Sequence, residues 1–263
     1  GASYSVQMEA GIEAADMLIA VTDSDELNLL CCTVAKHVSR CDTVARVRTP
    51  DYSTEASYLR EKLGLTMIIN PELEAAIEAT RILCLPTALE VNSFAHGQAE
   101  LIKLKITEGS MLDGISIQEF GKRGIANVLI CVIERAGEVY IPWGDFVMQT
   151  GDILSFVAHR KTVKSFMQKF GLKTKQVKNT MIVGGGKAAY YLANQLLGMG
   201  ISVQIIEQNK ARCEELSILL PKAVIINADG SDEEVLFEEG IENVESFIPL
   251  TGIDEENIML TLH

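Results

Sequence analysis

The chain has 263 residues, enough for two or three domains, and its 48% hydrophobic and 22% charged residues are typical of a folded globular protein. It contains no run of about 18 apolar residues, so we expect no membrane-spanning helix. The net charge of −13 argues against a nucleic-acid partner, which normally requires a basic face, and the acidic stretches at both ends of the sequence would be repelled by an anionic bilayer. Six cysteines without a CxxC pair predict reduced thiols in a cytoplasmic protein.

The first predicted strand, Met17–Val21, ends in a threonine and leads into a helix with an acidic first turn. The same arrangement returns at Phe247–Leu250, and the two stretches align at a constant offset of 229 residues. The offset pairs identical residues, namely Gly11 with Gly240, Ile12 with Ile241, Thr22 with Thr251, and Asn28 with Asn257. This repeat predicts two related α/β units. Pro249 interrupts the second strand, so we expect it at a position whose N–H does not pair or beside a local distortion.

The stretch from residue 88 to residue 171 has a different pattern. Apolar residues alternate with lysines over Ile102–Ile106, which predicts a half-buried strand. A hairpin is predicted from Asn127–Ile133 and Val139–Ile141. A turn with a strand follows at Gly151–Val157, and a closing helix at Lys161–Phe170. No paired carboxylates, Ser/His/Asp set or metal cluster is evident there. We interpret the stretch as a small α+β domain for dimerisation or ligand sensing.

A glycine-rich turn follows the next predicted strand, Thr180–Val183. It reads G-x-G-x-x-A from Gly184 to Ala189 and opens a helix, and a further strand, Val203–Ile206, ends at Glu207. In such a unit, Gly184 permits the tight turn, Gly186 lets a diphosphate approach the backbone, and the helix N-terminus binds phosphate oxygens. An acid at the position of Glu207 accepts hydrogen bonds from both ribose hydroxyls and disfavours a 2′-phosphate. The pattern therefore predicts a nucleotide site.

Two neighbouring side chains have more than one interpretation. Lys187 can reach a phosphate, or it can point to water as first-turn lysines commonly do. Asp229 follows a third predicted strand, Ala223–Ile226, and either lies near the adenine or ribose or caps the next helix.

Taken together, the chain resembles the TrkA family, whose members carry RCK (regulator of K⁺ conductance) domains. The matching stretches are AGIEAADMLIAVTDSDELNLL, the ARVR strand at 45–48, IQEFG, GDILSFVAH, VGGGKAAYYLANQLL and ADGSDEEVLFEEGIENVESFIPLTGIDEENIML. The resemblance covers nearly the whole chain, and the order and spacing of its three parts agree.

The resemblance implies an α/β fold in which Rossmann-type parallel-sheet units, one incomplete at each end, flank a small α+β TrkA-C-like domain. Residues 1–87 would form the C-terminal half of a first Rossmann unit with its crossover helix, and residues 88–171 the TrkA-C-like domain. Residues 172–178 would be a linker, and residues 179–263 the N-terminal part of a second Rossmann unit. The first unit begins after its own glycine-rich loop.

Ligands and partners follow from the same resemblance. It implies NAD(H) or an adenine nucleotide (ATP or ADP) as ligand. It also implies a homo-oligomer, a dimer or a tetrameric ring, that docks on a TrkH-like membrane potassium channel or transporter subunit at the inner face of the cell membrane. The implied nucleotide contacts are Gly184, Gly185, Gly186, Lys187, Ala188, Glu207, Thr251 and Gly252. In the first unit the corresponding positions are Thr22, Asp23 and Arg46, which have no phosphate-binding loop of their own in this chain.

The leading functional hypothesis is a regulatory gating subunit rather than an enzyme. One alternative is an NAD-dependent oxidoreductase, which needs a proton donor beside the nicotinamide. The four histidines are scattered along the sequence, and none lies in a catalytic motif. The other alternative is a scaffold whose glycine-rich loop holds no ligand.

Overall fold

A computed structural model describes residues 1–84, 88–94, 98–123, 127–171 and 177–262 of the chain. It divides into two compact units, the first made of Gly1–Glu78 together with the residues from Asn179 onward, and the second of Ala79–Lys178. We call Gly1–Glu78 the N-terminal lobe and the residues from Asn179 onward the C-terminal lobe. None of the helices in the described part of the chain has the length and apolar character needed to cross a membrane.

The N-terminal lobe contains a three-stranded parallel sheet in the order β1-β2-β3. Its elements are α1 (Tyr4–Glu9), β1 (Met17–Ala20), α2 (Asp25–Val38), β2 (Asp42–Arg46), α3 (Pro50–Thr54), α4 (Ala56–Lys62), β3 (Met67–Ile69) and the start of α5 (Pro71–Cys84). Helix α2 begins where Ser24 caps its N-terminus, with the Ser24 hydroxyl oxygen accepting a hydrogen bond from Leu27 N at 3.1 Å. Its buried face packs on the sheet through Leu29, Cys32 and Ala35.

The middle unit is an antiparallel five-stranded sheet in the order β4-β5-β8-β6-β7. Its elements after α5 are β4 (Ala88–Phe94), β5 (Ala99–Lys105), α6 (Ile117–Lys122), β6 (Val128–Arg135), β7 (Glu138–Tyr140), β8 (Ile153–His159) and α7 (Arg160–Lys169). The predicted hairpin is confirmed as the antiparallel β6–β7 pair, and the predicted strands and closing helix correspond to β5, β8 and α7. Phe156 and Phe166 pack with ring centroids 4.4 Å apart in the core under α7.

The C-terminal lobe contains a four-stranded parallel sheet in the order β11-β10-β9-β12. Its elements are β9 (Asn179–Val183), α8 (Lys187–Gly198), β10 (Ser202–Glu207), α9 (Lys210–Leu219), β11 (Val224–Asn227), α10 (Glu233–Glu238), β12 (Phe247–Pro249) and α11 (Asp254–Thr261). The chain moves outward from β9 to β11 and then returns to place β12 on the other side of β9. This reversal creates a switch point between β9 and β12, where open α/β sheets bind ligands. The predicted mixture of Rossmann-type parallel sheets and an α+β domain is confirmed.

The internal repeat is visible in the backbone as well as in the sequence. Gly11 and Gly240 both have a left-handed conformation, with φ of 81° and 84°, and each precedes a short 3₁₀ turn. Farther along, Asn28 Oδ1 accepts hydrogen bonds from the backbone N and the hydroxyl of Thr22, both at 2.7 Å. Asn257 repeats this arrangement with Thr251, at 2.8 and 2.9 Å. The repeated residues therefore build the same strand-to-helix turn twice.

Pro249 lies where the sequence predicts it. Ser246 O accepts from Met181 N at 2.9 Å, and Leu250 N donates to Val183 O at 2.7 Å, so the even-numbered residues of this segment face β9. The ring nitrogen of Pro249 therefore points away from the β9 ladder, and the β9–β12 pairing loses no hydrogen bond.

The predicted domain boundaries are not tested by these features, and residues 172–176 of the predicted linker lie outside the described residues. The boundary between the two compact units falls inside α5, after Glu78, and again before Asn179.

Candidate functional site

A cavity of about 710 Å³ opens at the carboxyl ends of β9 and β12, at the switch point of the C-terminal sheet. Its lining includes all nine residues that the sequence assigns to the second nucleotide unit: Gly184, Gly185, Gly186, Lys187, Ala188, Glu207, Asp229, Thr251 and Gly252. These residues come from four separate stretches of the chain, so the fold brings together what the sequence pattern could only associate.

The glycine-rich turn has the conformation that its sequence predicts. Gly184 has a φ of +98°, and a Cβ at this position would lie 2.5 Å from Leu250 O, so only glycine fits. Gly186 is the opposite case, because its backbone is extended and a Cβ there would meet no atom within 4 Å. The space in front of Gly186 is therefore free for a ligand group that must approach the backbone closely. Ala189, the small residue at the end of the motif, is fully buried.

Helix α8 points its N-terminus at this space. Gly186 is its N-cap residue and supplies no side-chain cap, so the N–H groups of the first turn keep their capacity to bind an anion. The Lys187 side chain does not turn toward the glycine-rich loop. Its Nζ donates to Thr49 Oγ1 at 3.2 Å and lies 3.8 Å from Asp25 Oδ2, both in the N-terminal lobe.

Glu207 ends β10 at the edge of the cavity, and its carboxylate supports the loop. One oxygen accepts from Gly185 N at 2.6 Å and the other from Asn209 N at 2.7 Å. Arg212 reinforces the same loop, because its Nε donates to Gly185 O at 2.6 Å. Each carboxylate oxygen keeps a second lone pair, so Glu207 still has acceptor capacity for a hydroxyl in the cavity.

Asp229 does not cap helix α10. Its Oδ1 accepts from Ser231 N at 2.9 Å and from the Ser231 hydroxyl at 2.7 Å, and these bonds hold the pKa of Asp229 below its usual value. The N-cap of α10 is Asp232, whose carboxylate accepts from Glu234 N at 3.0 Å. The capping interpretation of Asp229 is therefore wrong, and Asp229 is one of the residues that line the cavity.

The corresponding positions of the first unit lie together but outside this cavity. Arg46 donates to Thr22 O at 3.0 Å and lies 3.9 Å from the Asp23 carboxylate. None of the three residues is among those that line the cavity in the described structure.

Two residues of the N-terminal lobe also line the cavity, and neither was predicted from the sequence. Arg48 lies at the end of the ARVR stretch and Glu72 lies in the first turn of α5. Their positions follow from the contact between the lobes, in which the Tyr191 hydroxyl of α8 donates to Arg48 O at 2.8 Å and accepts from Asn70 Nδ2 at 3.0 Å. No local pattern in the sequence carries that information.

Asp25 organises the N-terminal side of this contact. Its Oδ2 accepts from Arg48 N, Thr49 N and the Thr49 hydroxyl at 2.8, 2.7 and 2.7 Å. Burial raises the pKa of Asp25, but the hydrogen bonds from Thr49 and Arg48 together with the Lys187 charge outweigh it, so the pKa lies below its usual value. A buried, ionised carboxylate therefore fixes the backbone that carries Arg48.

Comparison with known proteins agrees with this architecture. A family model described as the TrkA-N domain matches residues 1–71 and 180–263, which correspond to the two lobes, and one described as the TrkA-C domain matches residues 101–171. Among solved structures, the GsuK channel bound to NAD superposes with a TM-score of 0.66 at 19% identity, over 99% of this chain and 45% of that chain. The GsuK RCK domain gives a TM-score of 0.65 at 20% identity, over 99% of this chain and 55% of that chain. These similarities concern the fold.

Curated relatives are more similar in sequence. The Trk system potassium uptake protein TrkA homolog of Archaeoglobus fulgidus is 35% identical over 261 residues, covering 99% of this chain and 59% of the relative. The Trk system potassium uptake protein TrkA of Haemophilus influenzae is 33% identical over 264 residues, covering 99% of this chain and 57% of the relative. The chain thus spans somewhat more than half the length of these relatives. With a TrkA-N model matching both lobes and a TrkA-C model matching the unit between them, the chain belongs to the TrkA family.

Proposed function

We propose that this chain is a nucleotide-binding regulatory part of a Trk-type potassium uptake system. The observation that carries the proposal is the cavity at the β9–β12 switch point, where the glycine-rich loop and the open N-terminus of α8 meet an acidic residue at the end of β10. This arrangement matches the chemistry of a diphosphate joined to a ribose.

The ligand is a nucleotide with a diphosphate, either NAD(H) or an adenine nucleotide. The N–H groups around Gly186 and Ala188 would hold the phosphate oxygens, because the free space and the positive end of the α8 dipole coincide there. Glu207 would accept hydrogen bonds from the ribose hydroxyls, which favours an unmodified 2′-hydroxyl. Asp229, Thr251 and Gly252 would form the remaining walls.

The partner is a TrkH-like membrane potassium channel or transporter subunit, on whose cytoplasmic face a homo-oligomer of the full protein would dock. Its relatives are Trk system potassium uptake proteins, which supports this assignment. Gating follows when the ligand binds two arrangements of the assembly with different affinity. A regulatory role fits the cavity better than hydride transfer, because no histidine, tyrosine or cysteine is among its described lining residues. His96 and His263 lie outside the described residues.

Calorimetric titration of the 263-residue chain with NADH, NAD⁺, ATP and ADP tests the binding function. We expect saturable binding of at least one nucleotide, and Glu207→Ala should weaken it by roughly 1.5–3 kcal/mol, the contribution of hydrogen bonds to a charged acceptor. Glu214→Ala is the matched control, since Glu214 is exposed in α9 outside the cavity. Absence of heat with all four nucleotides would refute the proposal. Sustained NAD⁺ reduction with a panel of alcohols would instead favour the oxidoreductase.

A further inference from the structure

The cavity is short of positive charge for a diphosphate ligand. Among its described lining residues, the carboxylates outnumber the cations by four to two, as Glu72, Glu207, Asp229 and Glu256 against Arg48 and Lys187. A diphosphate adds further negative charge, and the helix dipole compensates for only about half an elementary charge. A side-chain cation that turns toward the ligand would offset part of this negative charge.

Lys187 is poorly placed for this task. Its ammonium group contacts Thr49 Oγ1 at 3.2 Å and lies 3.8 Å from Asp25 Oδ2, a carboxylate with only 2% of its side chain exposed. Moving Lys187 into the cavity would remove a cation from beside this buried charge, and that loss is costly.

Arg48 has a fixed backbone and a guanidinium that is held through Nε and Nη2 but only weakly paired at Nη1. Its N donates to Asp25 at 2.8 Å and its O accepts from the Tyr191 hydroxyl at 2.8 Å, so the main chain is attached to both lobes. Its Nε lies 3.5 Å from Asp25 Oδ1 and its Nη2 donates to Asp23 O, whereas its Nη1 lies 3.8 Å from Glu72 Oε1. The separation from Glu72 is too long for a charge-assisted hydrogen bond.

Glu72 is an incompletely satisfied partner. Its Oε2 is buried and accepts no hydrogen bond from any described residue, and Glu72 is among the residues that line the cavity. A phosphate oxygen would offer the Arg48 guanidinium a shorter, charge-assisted contact than Glu72 does.

We propose that Arg48, carried by the N-terminal lobe, binds the diphosphate of a nucleotide held by the glycine-rich loop of the C-terminal lobe, exchanging its contact with Glu72 for the ligand. This inference rests on the proposed nucleotide function. Its consequence is that the ligand bridges the lobes, so occupancy strengthens their contact.

The test is calorimetric titration of the 263-residue chain with ADP and with NADH. Arg48→Gln should weaken binding by about 10- to 100-fold, the loss of a charge-assisted contact, and it keeps the backbone bonds to Asp25 and Tyr191. Glu72→Gln should change affinity in the opposite direction and tighten binding several-fold, because it removes both a competitor and a repulsive charge. The matched controls, Arg60→Gln and Glu74→Gln, alter exposed residues of the same lobe outside the cavity and should bind as the unchanged chain does.

The opposite signs separate a ligand contact from general damage to the fold. If Arg48→Gln and Glu72→Gln both bind as the unchanged chain does, or if both weaken binding, this inference is overturned while the nucleotide function stands. If the unchanged chain binds neither ADP nor NADH, both the inference and the proposed function fail.

Discussion

Two glycines of the same turn should respond differently to substitution by alanine. Gly184→Ala places a methyl group 2.5 Å from Leu250 O on a backbone with φ of +98°. A non-glycine residue in such a conformation costs about 1–3 kcal/mol, and the clash with backbone adds to it, so we expect a loss of about 2–4 kcal/mol in the free energy of unfolding. Gly186→Ala meets no atom within 4 Å on an extended backbone, and we expect stability to change by less than about 1 kcal/mol, because the lower entropy of the unfolded chain is offset by the poorer N-cap that alanine makes.

Gly186→Ala should nevertheless weaken nucleotide binding. The methyl group of Gly186→Ala occupies the space where a phosphate would approach, and we expect affinity for NADH or ADP to fall by about 10- to 100-fold, or about 1.4–2.7 kcal/mol. Urea unfolding, monitored by circular dichroism, measures the change in stability, and calorimetric titration of the same samples measures the change in affinity. Loss of stability without loss of binding in Gly186→Ala would refute the assignment of this space to the ligand.

Three further predictions concern residues of the two lobes. Asn28→Ala should lower the free energy of unfolding by about 2–4 kcal/mol and Asn257→Ala by about 1–2 kcal/mol, because Asn28 is fully buried and also donates to Arg46 O at 2.9 Å. Equal losses for the two variants in urea titrations would contradict this prediction. The pKa of Asp25 in the folded protein lies below its ordinary value of 3.8, so the ionised carboxylate should contribute its full stabilisation above pH 3.8 and lose it as the pH falls through the folded pKa. The difference in stability between the unchanged chain and Asp25→Asn, measured by acid titration, should therefore shrink below pH 3.8. Burial raises the pKa of Cys32 to about 11, so iodoacetamide at pH 8 should label Cys131 before Cys32 in the folded protein, as peptide mapping would show.

Much of the C-terminal lobe could be predicted from sequence because its signals are local. The three glycines, the apolar strand before them and Glu207 after the next strand occur within one supersecondary unit, and each has a conformational reason that acts over a few residues. The repeat predicted the second strand-to-helix turn in the same way, since Asn28 and Asn257 bond to the threonine six positions earlier.

The contributions of the N-terminal lobe to the cavity could not be predicted because they depend on distant contacts. Arg48 and Glu72 are more than a hundred residues from the glycine-rich loop, and their position depends on Tyr191 reaching Arg48 O. The direction of Lys187 is another tertiary effect, because buried Asp25 offers it an opposite charge. The prediction that Asp229 caps α10 was wrong because Asp232, which lies directly before the first residue of α10, takes the N-cap position.

Pro249 in β12 also limits the backbone hydrogen bonds that this strand can form on the side facing away from β9. In the N-terminal lobe, the equivalent position is Ala20, which pairs with Ala45 of β2. In β12 the same position has no N–H, so a strand that adds there must form a ladder with one bond missing. Any strand that pairs with β12 on this side therefore lacks one hydrogen bond that β2 can form with β1 in the N-terminal lobe.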